Sequence, residues 1–285
     1  MHRRGSHDVG TSRGEGRLRR SRPPLHLHGS SALNLTPGEI MVACAAREIR
    51  EGERVFVGMR LPLIAFVVAK RTHAPNAIGL FELGVVRDQP ASELLYTMGD
   101  NPNVAGAVWC ARTIDLMGLL QRGDVHAGFI GGAEIDVHGN LNTTAIGERT
   151  HPRVQLPGSG GGADIASLAH RLIVIMPHDK RRLREKVDFV TSPGYGTGGD
   201  WRKRAGLPRG GPSVLITTLG VFRFVDGAAV LESYHASASV ARIRDATGWP
   251  VATAANVRET EPPSAEVLRI IRAYDPAGFW TRRVE

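Results

Sequence analysis

The run Ala127-Gly128-Phe129-Ile130-Gly131-Gly132-Ala133-Glu134-Ile135-Asp136 is a short apolar stretch that stops at a glycine pair and then turns acidic. Its first residues carry no alternating polar partner, the pattern of a strand buried on both faces. The glycines at its C-terminal end let the chain turn sharply and let a ligand approach main-chain N–H groups with no Cβ in the way. The same grammar recurs on either side. Arg54–Gly58 reads as a buried strand, followed by a helix over Leu61–Arg71 that Pro62 can begin. Ile78–Leu83 is the next strand and ends at Gly84, and Val104–Gln121 has mixed helical periodicity. Arg153–Leu156 runs into Gly158–Gly162 and a helix over Ala163–His170; Arg171–Met176 and Val187–Thr191 are further strands. Short apolar strands alternating with helices predict an α/β fold: an open, largely parallel sheet with flanking helices.

From Ser213 the pattern changes. Val214–Leu219, Val221–Val225 and Ala229–His235 surround turns at Gly220 and Asp226-Gly227, which predicts a C-terminal antiparallel meander with a tight Asp-Gly hairpin. Helices over Ser239–Thr247 and Ser264–Tyr274 close the chain. At the other end, Thr36-Pro37-Gly38-Glu39 places Thr at an N-cap, Pro at the first helical position and Glu three residues after the cap. Folding is expected to start there, giving one α/β domain over residues 36–285. Residues 1–35 are rich in Arg, Gly, Ser, Pro and His and have no apolar period, so they read as a disordered basic tail, a dispensable extension or the product of an upstream start.

Composition sets the outer bounds. Of 285 residues, 42% are hydrophobic and 22% charged, ordinary values for a chain that buries a core. The longest apolar runs, Leu61–Ala69 and Leu172–Met176, are far shorter than a bilayer span. Cys44 and Cys110 stand alone, with no metal or redox spacing, which fits a reduced cytoplasmic protein and no metal site. The net charge of +8 invites a nucleic-acid reading, but half of it comes from seven arginines against three acids in residues 1–40. The four tryptophans show no stacking pattern for single strands. Neither nucleic acid nor membrane is an expected partner; a basic-tailed nucleic-acid-binding or structural protein is the alternative of another class.

Three motifs put an acid or a glycine cluster at the C-terminal end of a predicted strand, where open α/β sheets bind ligands. They are Glu82 in Gly79–Gly84, the Gly131–Asp136 run, and Gly158-Ser159-Gly160-Gly161-Gly162. Neither glycine run fits a dinucleotide fingerprint or a P-loop, and each also suits a plain tight turn. Glu82 stands in an apolar context, Leu80-Phe81-Glu82-Leu83, where an ionised carboxylate is costly unless something binds it. An exposed strand end or an arginine partner is the plain account of it.

Taken together, these residues resemble the class I coenzyme A transferases, most of all the beta subunits of the glutaconate CoA-transferase type. The resemblance rests on Gly58–Ile64, Phe129–Asp136 with Gly139–Asn142, Gly158–Gly161, His178–Arg182, Val190–Gly194, Leu268–Arg272 and Asp275-Pro276. It covers about Thr36 to Trp280. It implies a catalytic glutamate at Glu82, although Leu83 stands where the family has a small or polar residue; Gly84 is kept. It implies CoA as substrate and no permanently bound cofactor, with CoA passing between an acyl-CoA and a carboxylic acid through a glutamyl-CoA thioester. An alpha subunit is the implied partner in a hetero-oligomer. Main-chain N–H groups around Gly131, Gly132, Ala133, Gly158, Gly160 and Gly161 are the implied oxyanion and CoA contacts. Lys180, Arg181 and Arg182 are either positive walls for the substrates or a solvated face. Glu134 and Asp136 either bind substrate or shape their loop, Asn140 and Asn142 cap turns, and His138 and His178 make local hydrogen bonds. Related beta-like chains that hydrolyse steroid-derived CoA thioesters by ring opening lack the glutamate. A thioester hydrolase of the same fold is therefore the alternative reading, and Glu82 favours transfer.

Overall fold

The computed structural model describes residues 34–207 and 209–284, so the tail expected over 1–35 lies almost wholly outside the described residues. The first half holds α1 (Pro37–Arg47), β1 (Arg54–Phe56), α2 (Leu61–Arg71), β2 (Ile78–Phe81), β3 (Val85–Arg87), α3 (Asn101–Val104), β4 (Trp109–Cys110), α4 (Thr113–Arg122) and β5 (Ala127–Ile130). The middle holds β6 (Glu134–Ile135), β7 (Leu141–Asn142), β8 (Ala145–Gly147), β9 (Pro152–Gln155), α5 (Gly162–Leu168), β10 (Arg171–Ile175) and α6 (Trp201–Arg204). The last part holds β11 (Pro212–Ile216), β12 (Gly220–Val225), β13 (Ala228–Tyr234), α7 (Val240–Asp245), β14 (Ala252–Glu259) and α8 (Ala265–Tyr274).

Among the described residues, ten strands form one mixed sheet in the order β14-β13-β12-β11-β10-β5-β1-β2-β3-β4. Its centre, β11-β10-β5-β1-β2, is parallel throughout. β12 and β13 add the expected antiparallel meander, turning at Asp226 and Gly227 with φ of 50° and 79°, the left-handed pair that a two-residue hairpin requires. Period-2 alternation divides the apolar residues between two faces. Val55, Val57, Ile173 and Ile175 pack with α1, α2 and α8; Phe56, Leu172 and Val174 pack with Leu116 and Leu120 of α4, Ile165 of α5 and Ile243 of α7. Helix α2 is buried along nearly its whole length, which its unbroken apolar sequence requires. The capping box of α1 forms as read: Glu39 N–H donates to Thr36 Oγ1 at 3.1 Å and Thr36 N–H to Glu39 Oε2 at 2.8 Å.

Three expectations are corrected. Val104–Gln121 is not one helical stretch; Gly106 at φ +74° breaks it, Trp109 and Cys110 pair with β3, and α4 starts only at Thr113. Val187–Thr191 is not a strand. Its Val187 is buried and Val190 exposed, and Asp188 N–H donates to the Glu134 carboxylate instead of a neighbouring strand. Strand β14, parallel to β13, gives no strand signal in the sequence because three of its four apolar residues are alanines and none of its eight residues is buried.

Candidate active site

β1, β5 and β10 run parallel and end on one edge of the sheet, and the residues that follow them, Gly58, Gly131, Met176 and Pro177, line cavities there. β2, parallel to β1, delivers Phe81 to the same edge, where the chain reverses into antiparallel β3. Gly84 N–H donates to the Phe81 carbonyl at 2.9 Å, closing a four-residue turn with Glu82 and Leu83 at its corners. Glu82 thus sits just past the strand. Gly84 adopts φ +101°, and a Cβ there would collide with the Ala111 carbonyl oxygen. Leu83 is 57% exposed, so the turn accepts it in place of a small residue without strain.

Glu82 is half-buried, and its Oε1 accepts a 2.8 Å hydrogen bond from Gly161 N–H at the start of α5. Glycine at 160 and 161 is what allows this approach. A Cβ on either would lie 3.2 or 3.3 Å from Oε1, and one on Gly161 would also meet Met117 Cε at 2.8 Å. Glu82, Gly131, Gly158, Ser159, Thr143 and Ser192 are among the residues around a cavity of about 190 Å³. A second cavity of about 370 Å³ shares Gly58, Phe129, Gly131 and Thr143 with it and reaches Gly132, Arg60 and Arg182.

Of the residues read from sequence, Glu82, Gly131, Gly158, Gly160 and Gly161 come together here, with Gly132 on the wall of the larger cavity. The N–H groups of Gly131, Gly132 and Gly160 make no hydrogen bond among the described residues, so they remain free donors. Ala133 does not, because its N–H donates to the Asn142 carbonyl at 2.9 Å. Gly161 N–H is engaged with Glu82 itself, and Gly158 N–H donates to Thr143 O at 2.8 Å. Their role is to position the carboxylate and the loop.

The acids and amides after Gly132 brace the loop from within. Asp136 Oδ1 accepts from His138 N–H and Asn140 N–H at 3.0 and 3.1 Å, and burial holds its carboxyl above the usual range. Asn140 Oδ1 accepts from Gly194 and Gly196 N–H, and Asn142 Nδ2 donates to Glu134 Oε2 at 2.8 Å. His138 Nδ1 lies 2.8 Å from Gly227 O, and His178 bonds Thr217 and Thr247 hydroxyls at 3.0 Å each. All of these are structural contacts. Sequence reasoning missed Gly58, Phe129, Thr143 and Ser192 as wall residues. Gly58 follows a strand by the same rule as Gly131, whereas Thr143 reaches the site only through the folded loop, which no spacing reveals.

The model of the coenzyme A transferase family matches residues 39–245. The beta (B) subunit of 3-oxoadipate CoA-transferase from Pseudomonas knackmussii is 35% identical over 240 residues, covering 83% of this chain and 92% of the relative. The beta (B) subunit of glutaconate CoA-transferase from Acidaminococcus fermentans is 35% identical over 249 residues, covering 84% and 92%. The crystal structure of glutaconate coenzyme A-transferase from the second organism superposes with a TM-score of 0.81 at 32% identity, covering 87% of this chain and 98% of the solved one.

Proposed function

The chain belongs to the coenzyme A transferase family, and on that premise we propose that residues 36–285 are the beta chain of a two-chain CoA transferase with Glu82 as its nucleophile. The observation that carries the proposal is a carboxylate at the tip of a turn, aimed by the Gly161 N–H, at the C-terminal edge of a parallel sheet and beside free main-chain donors.

The chemistry follows from that placement. An oxygen of Glu82 attacks the thioester carbonyl carbon of an acyl-CoA. The tetrahedral intermediate collapses by breaking the C–S bond, leaving a mixed anhydride and CoA thiolate. The thiolate attacks the Glu82 side of the anhydride, expels the donor acid as its carboxylate and forms a glutamyl-CoA thioester. An acceptor carboxylate then reverses the sequence and leaves as its own CoA ester. No net proton moves. A carboxylate is a weak nucleophile, so the reaction depends on holding it close to the thioester. Each tetrahedral oxyanion needs fixed donors, and the N–H groups of Gly131, Gly132 and Gly160 are free to supply them.

Both transferase relatives are single subunits of multi-subunit enzymes, which supports an alpha chain as partner. No helix among the described residues is long and apolar enough to cross a membrane. Both cysteines are free, which agrees with a cytoplasmic setting.

The test is trapping. The chain is co-purified with its alpha partner, given an acyl-CoA and treated with borohydride, which reduces a glutamyl thioester. An adduct at Glu82, and a loss of turnover on the order of 10⁴-fold or more in Glu82→Ala, are the expected results. Full activity in that variant sinks the proposal. CoA release at the turnover rate without any acceptor acid would identify a hydrolase instead.

A further inference from the structure

The cavity of about 190 Å³ that Glu82 lines also has two hydroxyl residues on its wall, Thr143 and Ser192. Ser192 is 1% exposed, and its Oγ is buried with no hydrogen-bond partner among the described residues. The same is true of Thr143 Oγ1. A buried hydroxyl that bonds to nothing destabilises the fold that contains it, so two of them on one small cavity call for an account.

A loose loop is not that account, because the main chain at both residues is engaged. Ser192 N–H donates to Leu141 O at 3.1 Å, and Leu141 N–H donates to Ser192 O at 2.9 Å. Arg202 Nη1 donates to the next two carbonyls, Pro193 O and Gly194 O, at 3.3 and 3.0 Å. Thr143 N–H donates to Thr191 Oγ1 at 2.9 Å, and Thr143 O accepts from Gly158 N–H at 2.8 Å. The neighbouring hydroxyls do find partners: Thr144 Oγ1 and Thr191 Oγ1 lie 2.7 Å apart. Of the adjacent pairs Thr143-Thr144 and Thr191-Ser192, one member of each joins the two segments and the other is left over on the cavity wall.

Their place relative to Glu82 is equally specific. Gly161 N–H holds Glu82 Oε1, and Ser192 Oγ stands against the next residue, 3.3 Å from where a Cβ on Gly162 would lie. Thr143 lies on the wall that the smaller cavity shares with the larger one, together with Gly131.

We propose that Ser192, seconded by Thr143, is a catalytic residue whose hydroxyl donates to the acyl carbonyl oxygen as that oxygen gains negative charge under attack by Glu82. The inference rests on the reading of Glu82 as the transferring nucleophile. No proton changes hands. The O–H bond stays intact, and its hydrogen bond strengthens as the carbonyl becomes an oxyanion, adding to the main-chain donors. A donor accelerates the reaction when its bond forms with the reacting group and not before, which is the condition of a hydroxyl left unpartnered in the free chain.

Ser192→Ala and Thr143→Val test it in the complex with the alpha chain. Ser192→Ala is expected to lower kcat on the order of 10²-fold and Thr143→Val about tenfold, with KM within about threefold of wild type. Formation of the borohydride-trapped adduct at Glu82 in a single turnover should slow to the same degree. Thermal melts give the readout that a structural role does not share: removing an unpartnered buried hydroxyl should leave Tm unchanged or raise it, so activity and stability move apart. Thr143→Ser, which keeps the hydroxyl, should recover most of what Thr143→Val loses. Wild-type kcat in Ser192→Ala, or a fall in Tm that accompanies the loss of activity, overturns the proposal. An adduct that forms equally fast in wild type and Ser192→Ala defeats the hydroxyls alone, whereas a wild type that yields no adduct at Glu82 defeats the transfer reading beneath them.

Discussion

Glu82 is positioned by glycines more than by other charged groups. Its own turn depends on Gly84 at φ +101°, and its carboxylate reaches Gly161 N–H only because neither Gly160 nor Gly161 has a Cβ. The two kinds of glycine are expected to fail differently. Gly84→Ala places a methyl group against the Ala111 carbonyl, an immovable backbone atom, in a conformation alanine disfavours. Destabilisation of roughly 3 kcal/mol or more is expected, read as a drop in the urea midpoint, with the turn displaced. Gly161→Ala meets Met117 Cε at 2.8 Å, the far end of a flexible side chain, and crowds Glu82 Oε1. That protein should fold with a stability change of about 1 kcal/mol or less and yet lose on the order of 10²-fold in kcat, because the proposed nucleophile is displaced. An unaltered kcat in Gly161→Ala would mean the hydrogen bond to Glu82 has no part in catalysis.

Between elements, buried polar contacts tie the end of the parallel sheet to the meander. His178, just after β10, bonds Thr217 beyond β11 and Thr247 beyond α7, while His235 after β13 bonds Thr260 and the Thr217 carbonyl. Burial, aided by the charge of His235, pushes His178 down to about 4, and burial lowers His235 as well. The folded state therefore holds neutral imidazoles that the unfolded chain protonates below its ordinary histidine pKa of about 6.5. Stability contributed by His178 is complete above that pH, falls as pH drops, and levels off near 4, a loss of roughly 3 kcal/mol across the window. Thermal melts at pH 7.5 and pH 5 should show it, and His178→Gln, which keeps a donor and an acceptor, should flatten the slope; an equal slope in the variant assigns the acid sensitivity elsewhere. This network also marks what sequence could show. The strands that carry the candidate site, β1, β2, β5 and β10, are short apolar runs, the first three followed within two residues by glycine or by Glu82, and each was legible as a strand. Segments whose backbone is satisfied by side chains were not. The stretch around Val187 looked like a strand because its residues are apolar, yet its Asp188 N–H is claimed by Glu134 from across the fold. β4 and β14 lie at the two margins of the sheet; β4 is only two residues long and β14 has no buried residue, so neither shows an alternation of buried and exposed positions.

At the scale of the whole molecule, the apolar surface is unevenly spread. Among the described residues, six of the nine exposed large hydrophobic side chains fall between Leu83 and Ile114, the segment that begins beside Glu82 and ends at the start of α4. Trp109, 46% exposed, sits on β4, the last strand of the sheet, directly across from Val86 and hence on the face that carries α4. Ile114 stands one helical turn before Met117, whose side chain faces Gly161. An open edge with aromatic and aliphatic residues invites aggregation unless another chain covers it, and aromatic residues anchor interface centres. The alpha chain is the occupant we expect there, closing the exposed side of the Glu82 turn against water. Trp109→Glu should weaken co-purification with the alpha chain by roughly 30-fold, equivalent to about 2 kcal/mol. Leu83→Glu should weaken it less but lower turnover more, because it adjoins Glu82, the proposed nucleophile. Val225→Glu provides the control: it is 51% exposed at the β12–β13 hairpin, among the antiparallel strands on the opposite flank of the sheet. Gel filtration of the mixed chains, with the three variants side by side, decides it. If Val225→Glu separates the chains and Trp109→Glu leaves them together, the alpha chain docks on the meander and the apolar edge beside Glu82 must be covered by something else.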